Sequence, residues 1–271
     1  MAHPTSFADL ENNTFGAAFL KDGYVITSVE DPASLDAIRN LIVRTAAEFL
    51  YLDTPNDPDI FLNNVHKHVH VEKLNGLRLA CIQAIRTADW FRPSYASLAY
   101  VALTALTGNE LAMQRGIGLS VQLPNDKSSL LAIHADTWDG DSPYEVVQWV
   151  PIVNCFKTKS MYIVPRDVDR ALQKDLSKGR FHTAEDIFLA VKDDVIFLDV
   201  PYGSVLLFSQ TIAHGNRINV EPTTRWSMNC RFKSILSPYI DKKLGEFFEP
   251  ISIRPATRLG LDYKLPGRFD G

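Results

Sequence analysis

Two histidines far apart in the chain carry its most specific chemistry. His134 stands in Ala132-Ile133-His134-Ala135-Asp136, and His214 in Thr211-Ile212-Ala213-His214-Gly215-Asn216-Arg217. Two neutral imidazoles and a carboxylate form the ligand set of a non-haem Fe(II) centre that keeps positions open for chemistry. His134, Asp136 and His214 supply that set. Arg225-Trp226-Ser227 follows downstream. A guanidinium offers a carboxylate two parallel N–H donors, so Arg225 suits the far end of a dicarboxylate co-substrate. Ser227, two residues on, shares its strand face and adds a hydroxyl donor. A His-x-Asp triplet alone recurs by chance, and a lone histidine is more often a core or surface residue. The order of triplet, several strands, histidine and arginine lifts the iron reading above coincidence.

Other polar residues compete for roles. Gln122 and Gln148 sit on strands and either face the co-substrate or point outward. Arg231, six residues beyond Arg225, is expected on the same strand face. Arg217 is too close to His214 to reach the far end of a co-substrate and is expected to meet the substrate. The loop after the triplet holds Trp138, Asp139, Asp141, Tyr144 and Glu145. Its aromatic faces suit a sugar and its carboxylates an amino or guanidino group; an ordinary solvated acidic loop explains it equally well. His66, His68 and His70 would share one face of a strand, yet Lys67 and Glu72 beside them favour a solvated segment leading into a helix.

These side chains need strands to hold them. Tyr24 to Val29 reads as a strand after an Asp-Gly turn. Asp31-Pro32 then opens a helix whose apolar positions Leu35, Ile38, Ile42, Ala46 and Phe49 have helical spacing. Asp53 to Asp59 reads as a loop, and Leu74–Ala88 and Tyr95–Leu106 as two further helices. Beyond Arg115, strands are expected at Gly118–Leu123, Leu130–His134, Val146–Ile152, Ser160–Val164, Val195–Asp199, Val205–Ser209 and Trp226–Ile235. A helical insertion is expected over Val168–Lys192, with a start at Thr183. The expected fold is mainly β with α additions, a jelly roll flanked by N-terminal helices. One domain spans 1–271: a helical part to about 110, a core over about 115–236, and an extended C-terminal wrap over 237–271.

Composition sets outer limits. The 271 residues are 46% hydrophobic and 22% charged, ordinary for a globular domain. A net charge of −4 argues against nucleic-acid binding. Three scattered cysteines, Cys81, Cys155 and Cys230, suit no disulfide framework and point to a reducing cytoplasm. Neither a secretory signal nor a membrane span is visible.

On these motifs the chain resembles the Fe(II)/2-oxoglutarate-dependent dioxygenase superfamily, closest to its phytanoyl-CoA hydroxylase-like branch. The pattern is His-x-Asp, a long interval, His, and an arginine about ten residues on. Asp22-Gly23-Tyr24-Val25-Ile26 is similar to that branch's N-terminal strand. Lys159 to Pro165 is similar to its G-x-L-x-x-x-P strand, without the glycine and without the usual PGSH ending. The chain is also similar to members from carbohydrate and aminoglycoside biosynthetic clusters. The resemblance implies a double-stranded β-helix, one Fe(II), and 2-oxoglutarate chelated through its C1 carboxylate and keto oxygen. It implies oxidation of an unactivated C–H bond of a small polar metabolite, possibly a sugar, by dioxygen, with succinate and carbon dioxide released. Asp136 occupies the position that halogenases leave open, which disfavours halogenation. Two other readings stay open: a cupin-type isomerase or epimerase without 2-oxoglutarate, for which Arg225-x-Ser227 has no use, and a non-catalytic jelly-roll binding module.

Overall fold

The computed structural model describes residues 14–264. Its N-terminal half is helical: α1 (Thr14–Asp22), β1 (Tyr24–Ser28), α2 (Pro32–Phe49), α3 (Pro58–Asn64), α4 (Val71–Thr87), α5 (Phe91–Ser97) and α6 (Tyr100–Thr107). Strands dominate afterwards: β2 (Leu111–Gln114), β3 (Gly118–Gln122), β4 (Val146–Pro151) and β5 (Tyr162–Ile163). Then come α7 (Arg166–Leu176), α8 (Ala184–Val191), β6 (Ile196–Phe197), β7 (Ser204–Ser209), β8 (His214–Gly215), β9 (Arg225–Ser234), β10 (Phe248–Ser252) and α9 (Pro255–Asp262).

Local chemistry explains the best-defined elements. Asp31 caps α2 by accepting from the Ser34 amide, and Pro32 has its fixed φ where an amide would be unpaired anyway. The helix then buries Leu35, Ile38, Ile42, Val43, Ala46 and Ala47 along one side. Each large aliphatic side chain so buried contributes about 1.5–3 kcal/mol, as an upper estimate. Thr183 and Asp186 form a reciprocal capping box that starts α8.

The large sheet is antiparallel and runs β1-β7-β4-β9-β2-β10, with β3 paired to β9 off this path. A second antiparallel sheet runs β6-β5-β8. The helices of the first half share one core with the large sheet, from Leu35 and Leu77 to Trp226 and Phe232. The small sheet packs with α7 and α8 through Tyr162, Leu172, Ile187 and Val191. This is the expected jelly roll with helices outside. No described helix is long and apolar enough to cross a membrane.

Four expectations change. The single helix over Tyr95–Leu106 is two, broken at Leu98-Ala99. The Leu98 carbonyl accepts from the Glu30 amide, and the Glu30 carboxylate takes the Val101 and Ala102 amides at 2.9 and 3.0 Å. That cap comes from 71 and 72 residues away in sequence. The strand over Leu130–His134 shrinks to one bridge between His134 and His214. The preceding loop bonds instead to the side chains of Asn216 and Asp126. The wrap after Ser237 contains β10, which pairs with β2, and α9; residues 265–271 lie outside the described part. Finally, β2 falls between the expected helical part, to about 110, and the expected core, from about 115, where no strand was expected.

Candidate metal centre

His134 and His214 face each other across that bridge. The amide of each donates to the carbonyl of the other, at 2.9 and 2.8 Å. This doubly bonded pair brings the rings to 4.4 Å between centroids. The Nδ1 of His134 lies 2.8 Å from the Ala132 carbonyl, and that of His214 lies 2.9 Å from the Ile212 carbonyl. A carbonyl only accepts, so both Nδ1 atoms carry the proton. Both Nε2 lone pairs are thereby left for a metal. Burial, and then the neighbouring His134, push His214 down to about 4, so it is neutral near pH 7.

A strand running through His134 and Asp136, whose alternation would set both on one face, is not what brings the carboxylate in. His134 and Asp136 do not share a strand. Asp136 opens a single 3-10 turn (Asp136–Asp139), closed by Gly140 in the left-handed region at φ +88°. The ligand atoms of His134, Asp136 and His214 nevertheless lie within 4.8 Å of one another. Among the described residues they form the one such group of three. Asp136 is held by Arg231, whose Nη2 is 2.9 Å from Asp136 Oδ1 and 3.1 Å from Asp141 Oδ2. Asp141 in turn pairs with Lys242. Arg231 therefore does share the β9 face of Arg225, but it serves the metal carboxylate.

A cavity of about 560 Å³ reaches His214 and contains Arg225 and Ser227. Arg225 is 3% exposed and donates from Nη2 to Ser120 Oγ at 3.0 Å; its Nε has no partner. Burial lowers its pKa to about 10, which still leaves it charged near neutrality. The acidic group that interacts with it is the Cys155 thiol, which burial pushes up to about 12 and so keeps neutral. No described carboxylate is within ion-pair distance of Arg225. The Ser227 hydroxyl, also buried, has no partner either. A desolvated cation beside an unused hydroxyl is costly unless an anion joins them. Trp149, Met161 and Phe208 give the same cavity apolar walls.

The other expected site residues lie elsewhere. Gln122 is buried and donates to the Arg217 carbonyl at 2.8 Å, which ties β3 to the segment after His214; it does not line the cavity. Gln148 exchanges bonds with Tyr95. Arg217 points outward, bonded to both carboxylate oxygens of Glu185 and stacked 4.1 Å over Phe188. Its neighbour Asn216 turns inward instead. The 3-10 turn likewise carries Trp138 and Asp139 away from the cavity, and Tyr144 is exposed. Trp138 borders a separate shallow hollow. Of the loop carboxylates, Asp141 and Glu145 are buried. His66, His68 and His70 form no strand: the first stands in a 3-10 turn and bonds Thr224, and His70 precedes α4. Where the PGSH ending would stand, the chain passes directly into α7.

Several site residues had no place in the sequence reading. Ser120 was legible by alternation, two residues before Gln122. Asn75 and Arg78 reach the cavity from α4, for which no local signal exists.

No protein-family model matches the chain, and no curated protein matches it in sequence. Solved structures do. A non-heme monooxygenase, ThoJ in complex with Ni, is 14% identical at a TM-score of 0.57, covering 89% of this chain and 84% of its own. The alpha ketoglutarate dependent carbocyclase SnoK from nogalamycin biosynthesis is 14% identical at 0.53, covering 93% and 100%. EctD from S. alaskensis with bound Fe is 17% identical at 0.51, covering 88% and 82%. At these identities the likeness is one of fold: the chain has the jelly-roll fold of non-heme oxygenases.

Proposed function

We propose that this protein is an Fe(II)- and 2-oxoglutarate-dependent oxygenase that oxidises an unactivated C–H bond of a small molecule. The observation that carries this reading is Arg225, a buried cation without an anion, next to the unpartnered Ser227 hydroxyl and in one cavity with His214. His134 Nε2, His214 Nε2 and one oxygen of Asp136 would hold the metal on one side and leave the other open. The far carboxylate of 2-oxoglutarate would take Arg225 and Ser227, with Ser120 keeping the guanidinium in place. Bound together, iron and 2-oxoglutarate supply the activation of dioxygen. The chain supplies orientation through Arg231 on Asp136, and exclusion of water through Trp149, Met161 and Phe208.

The fold shared with the ThoJ–Ni, SnoK and iron-bound EctD structures supports the reading. Asp22-Gly23-Tyr24 favours the phytanoyl-CoA hydroxylase-like branch, and three free, buried cysteines favour a reducing cytoplasm. A cupin-type isomerase has no use for a buried, unpaired Arg225. Nor does a sugar gain support from Trp138 and Tyr144, which stand outside the cavity.

The test is an anaerobic titration of the metal-stripped protein with Fe(II) and 2-oxoglutarate, followed in the visible. A charge-transfer band that needs both additions is expected, and His134→Ala abolishes it. Arg225→Ala raises the half-saturating 2-oxoglutarate about 30- to 5,000-fold, since truncating a buried charge partner costs about 2–5 kcal/mol. Iron binding without a band would favour a metal enzyme that does not use 2-oxoglutarate. No iron binding at all would favour the binding module.

A further inference from the structure

The cavity is larger than a five-carbon diacid needs, and its lining is strongly one-sided in charge. It contains two arginines, Arg78 and Arg225, and neither aspartate nor glutamate. If Arg225 serves the co-substrate, as the oxygenase reading has it, Arg78 remains. Val71, Leu74, Asn75 and Arg78 recur at helical spacing, so one stripe of α4 faces the cavity. The stripe begins apolar and ends cationic. Glu72 and Lys73 are exposed on α4 outside it. Arg78 donates to Asn75 Oδ1 at 2.8 Å and meets no described carboxylate within ion-pair distance. Asn75 thus aims the guanidinium and leaves most of its donors free.

A loop that also lines the cavity is held by Asn216, whose amide oxygen accepts from the Leu131 amide at 2.7 Å. Leu130 and Leu131, 43% and 51% exposed, lie with Val71 at the cavity. Large apolar side chains gathered at a cavity while still exposed mark a surface that a ligand covers. The carboxylates that would favour an amine, Asp139, Asp141 and Glu145, all lie outside the lining.

We propose that the substrate is a small amphiphilic anion. Its acidic group pairs with Arg78, and its apolar body lies against the α4 stripe and the Leu130-Leu131 loop, directed at the metal. This inference rests on the oxygenase reading.

The experiment is calorimetric titration of the anaerobic protein, loaded with Fe(II) and saturating 2-oxoglutarate, with octanoate, octylamine and 1-octanol. These share one chain and differ in charge. Octanoate is expected to bind about 10- to 100-fold more tightly than 1-octanol, the range of a charge-assisted bond. Arg78→Ala, an exposed helical position, removes that advantage, and Arg78→Glu transfers the preference to octylamine. Equal binding of all three, binding of none, or an octanoate affinity unchanged in Arg78→Ala overturns the proposal. So does octanoate that bleaches the charge-transfer band, because its carboxylate has then displaced 2-oxoglutarate at Arg225. In each of these cases a band formed beforehand leaves the oxygenase reading standing. Failure of iron and 2-oxoglutarate alone to produce the band sinks both.

Discussion

Arg231 is the residue whose work was least visible in one dimension. It bridges Asp136 and Asp141, and so fixes the candidate metal ligand that lies outside the His134–His214 bridge. Groups that orient metal ligands typically contribute 10- to 100-fold in metal affinity. Arg231→Ala is therefore expected to weaken Fe(II) binding by that factor, measured by anaerobic calorimetry. Arg231→Lys should recover part of it, because one nitrogen of Arg231, Nη2, meets both carboxylates and an ammonium keeps that charge without the planar orientation of a guanidinium. Arg225, the proposed clamp, was legible in sequence because a clamp needs a particular residue type at a particular distance from the candidate ligand His214. The substrate residues were not. Trp138, Tyr144 and Arg217 are near the ligands in sequence, but one 3-10 turn and one outward ion pair carry them away from the cavity.

At the scale of elements, β1 and the segment before His214 depend on each other. Gly23 has φ +79°, and a Cβ there would run into the Ile212 side chain. Ile212 also provides the carbonyl that sets the His214 tautomer. Gly23→Ala should therefore cost about 2–4 kcal/mol, the sum of a left-handed backbone penalty and overpacking. Urea unfolding would measure it, and reduced Fe(II) affinity in the folded fraction would show that the strain reaches the ligand. Phe248 makes the matching case at the far edge. It is fully buried on β10, between Ala112 and Ile235, and Phe248→Ala should cost about 3–5 kcal/mol in the same assay. The strand that Gly23 leads into was readable from the Asp-Gly turn and β-branched run. That containing Phe248 was not, because a strand defined by its pairing with β2 carries little local periodicity.

At the scale of the whole molecule, pH links the interior to stability. Glu145 is 1% exposed, neither of its oxygens has a hydrogen-bond partner, and burial raises its pKa to about 7 despite Lys233 nearby. The folded state thus holds this proton more tightly than the unfolded chain, where a glutamic acid titrates near about 4.3. Its contribution is fully present below about pH 4.3 and is lost as pH rises through 7. Glu145→Gln removes the buried charge. It should stabilise the protein by up to about 3 kcal/mol at pH 8 and change little at pH 4.5, as compared by urea unfolding at both values.

The sequence by itself determined the candidate ligand residues, the arginine proposed as the clamp, the helix starts at Asp31 and Thr183, and the jelly-roll class. Each follows from short-range rules: what a metal or carboxylate needs, how a helix is capped, how strands alternate. Only the tertiary structure decided that His134 meets His214 through a single doubly bonded bridge, that Arg231 holds Asp136, and that a stripe of α4 furnishes the cavity with Arg78. Those relations join residues 80, 95 and more than 100 positions apart, where side-chain direction depends on how sheets and helices pack rather than on any local pattern.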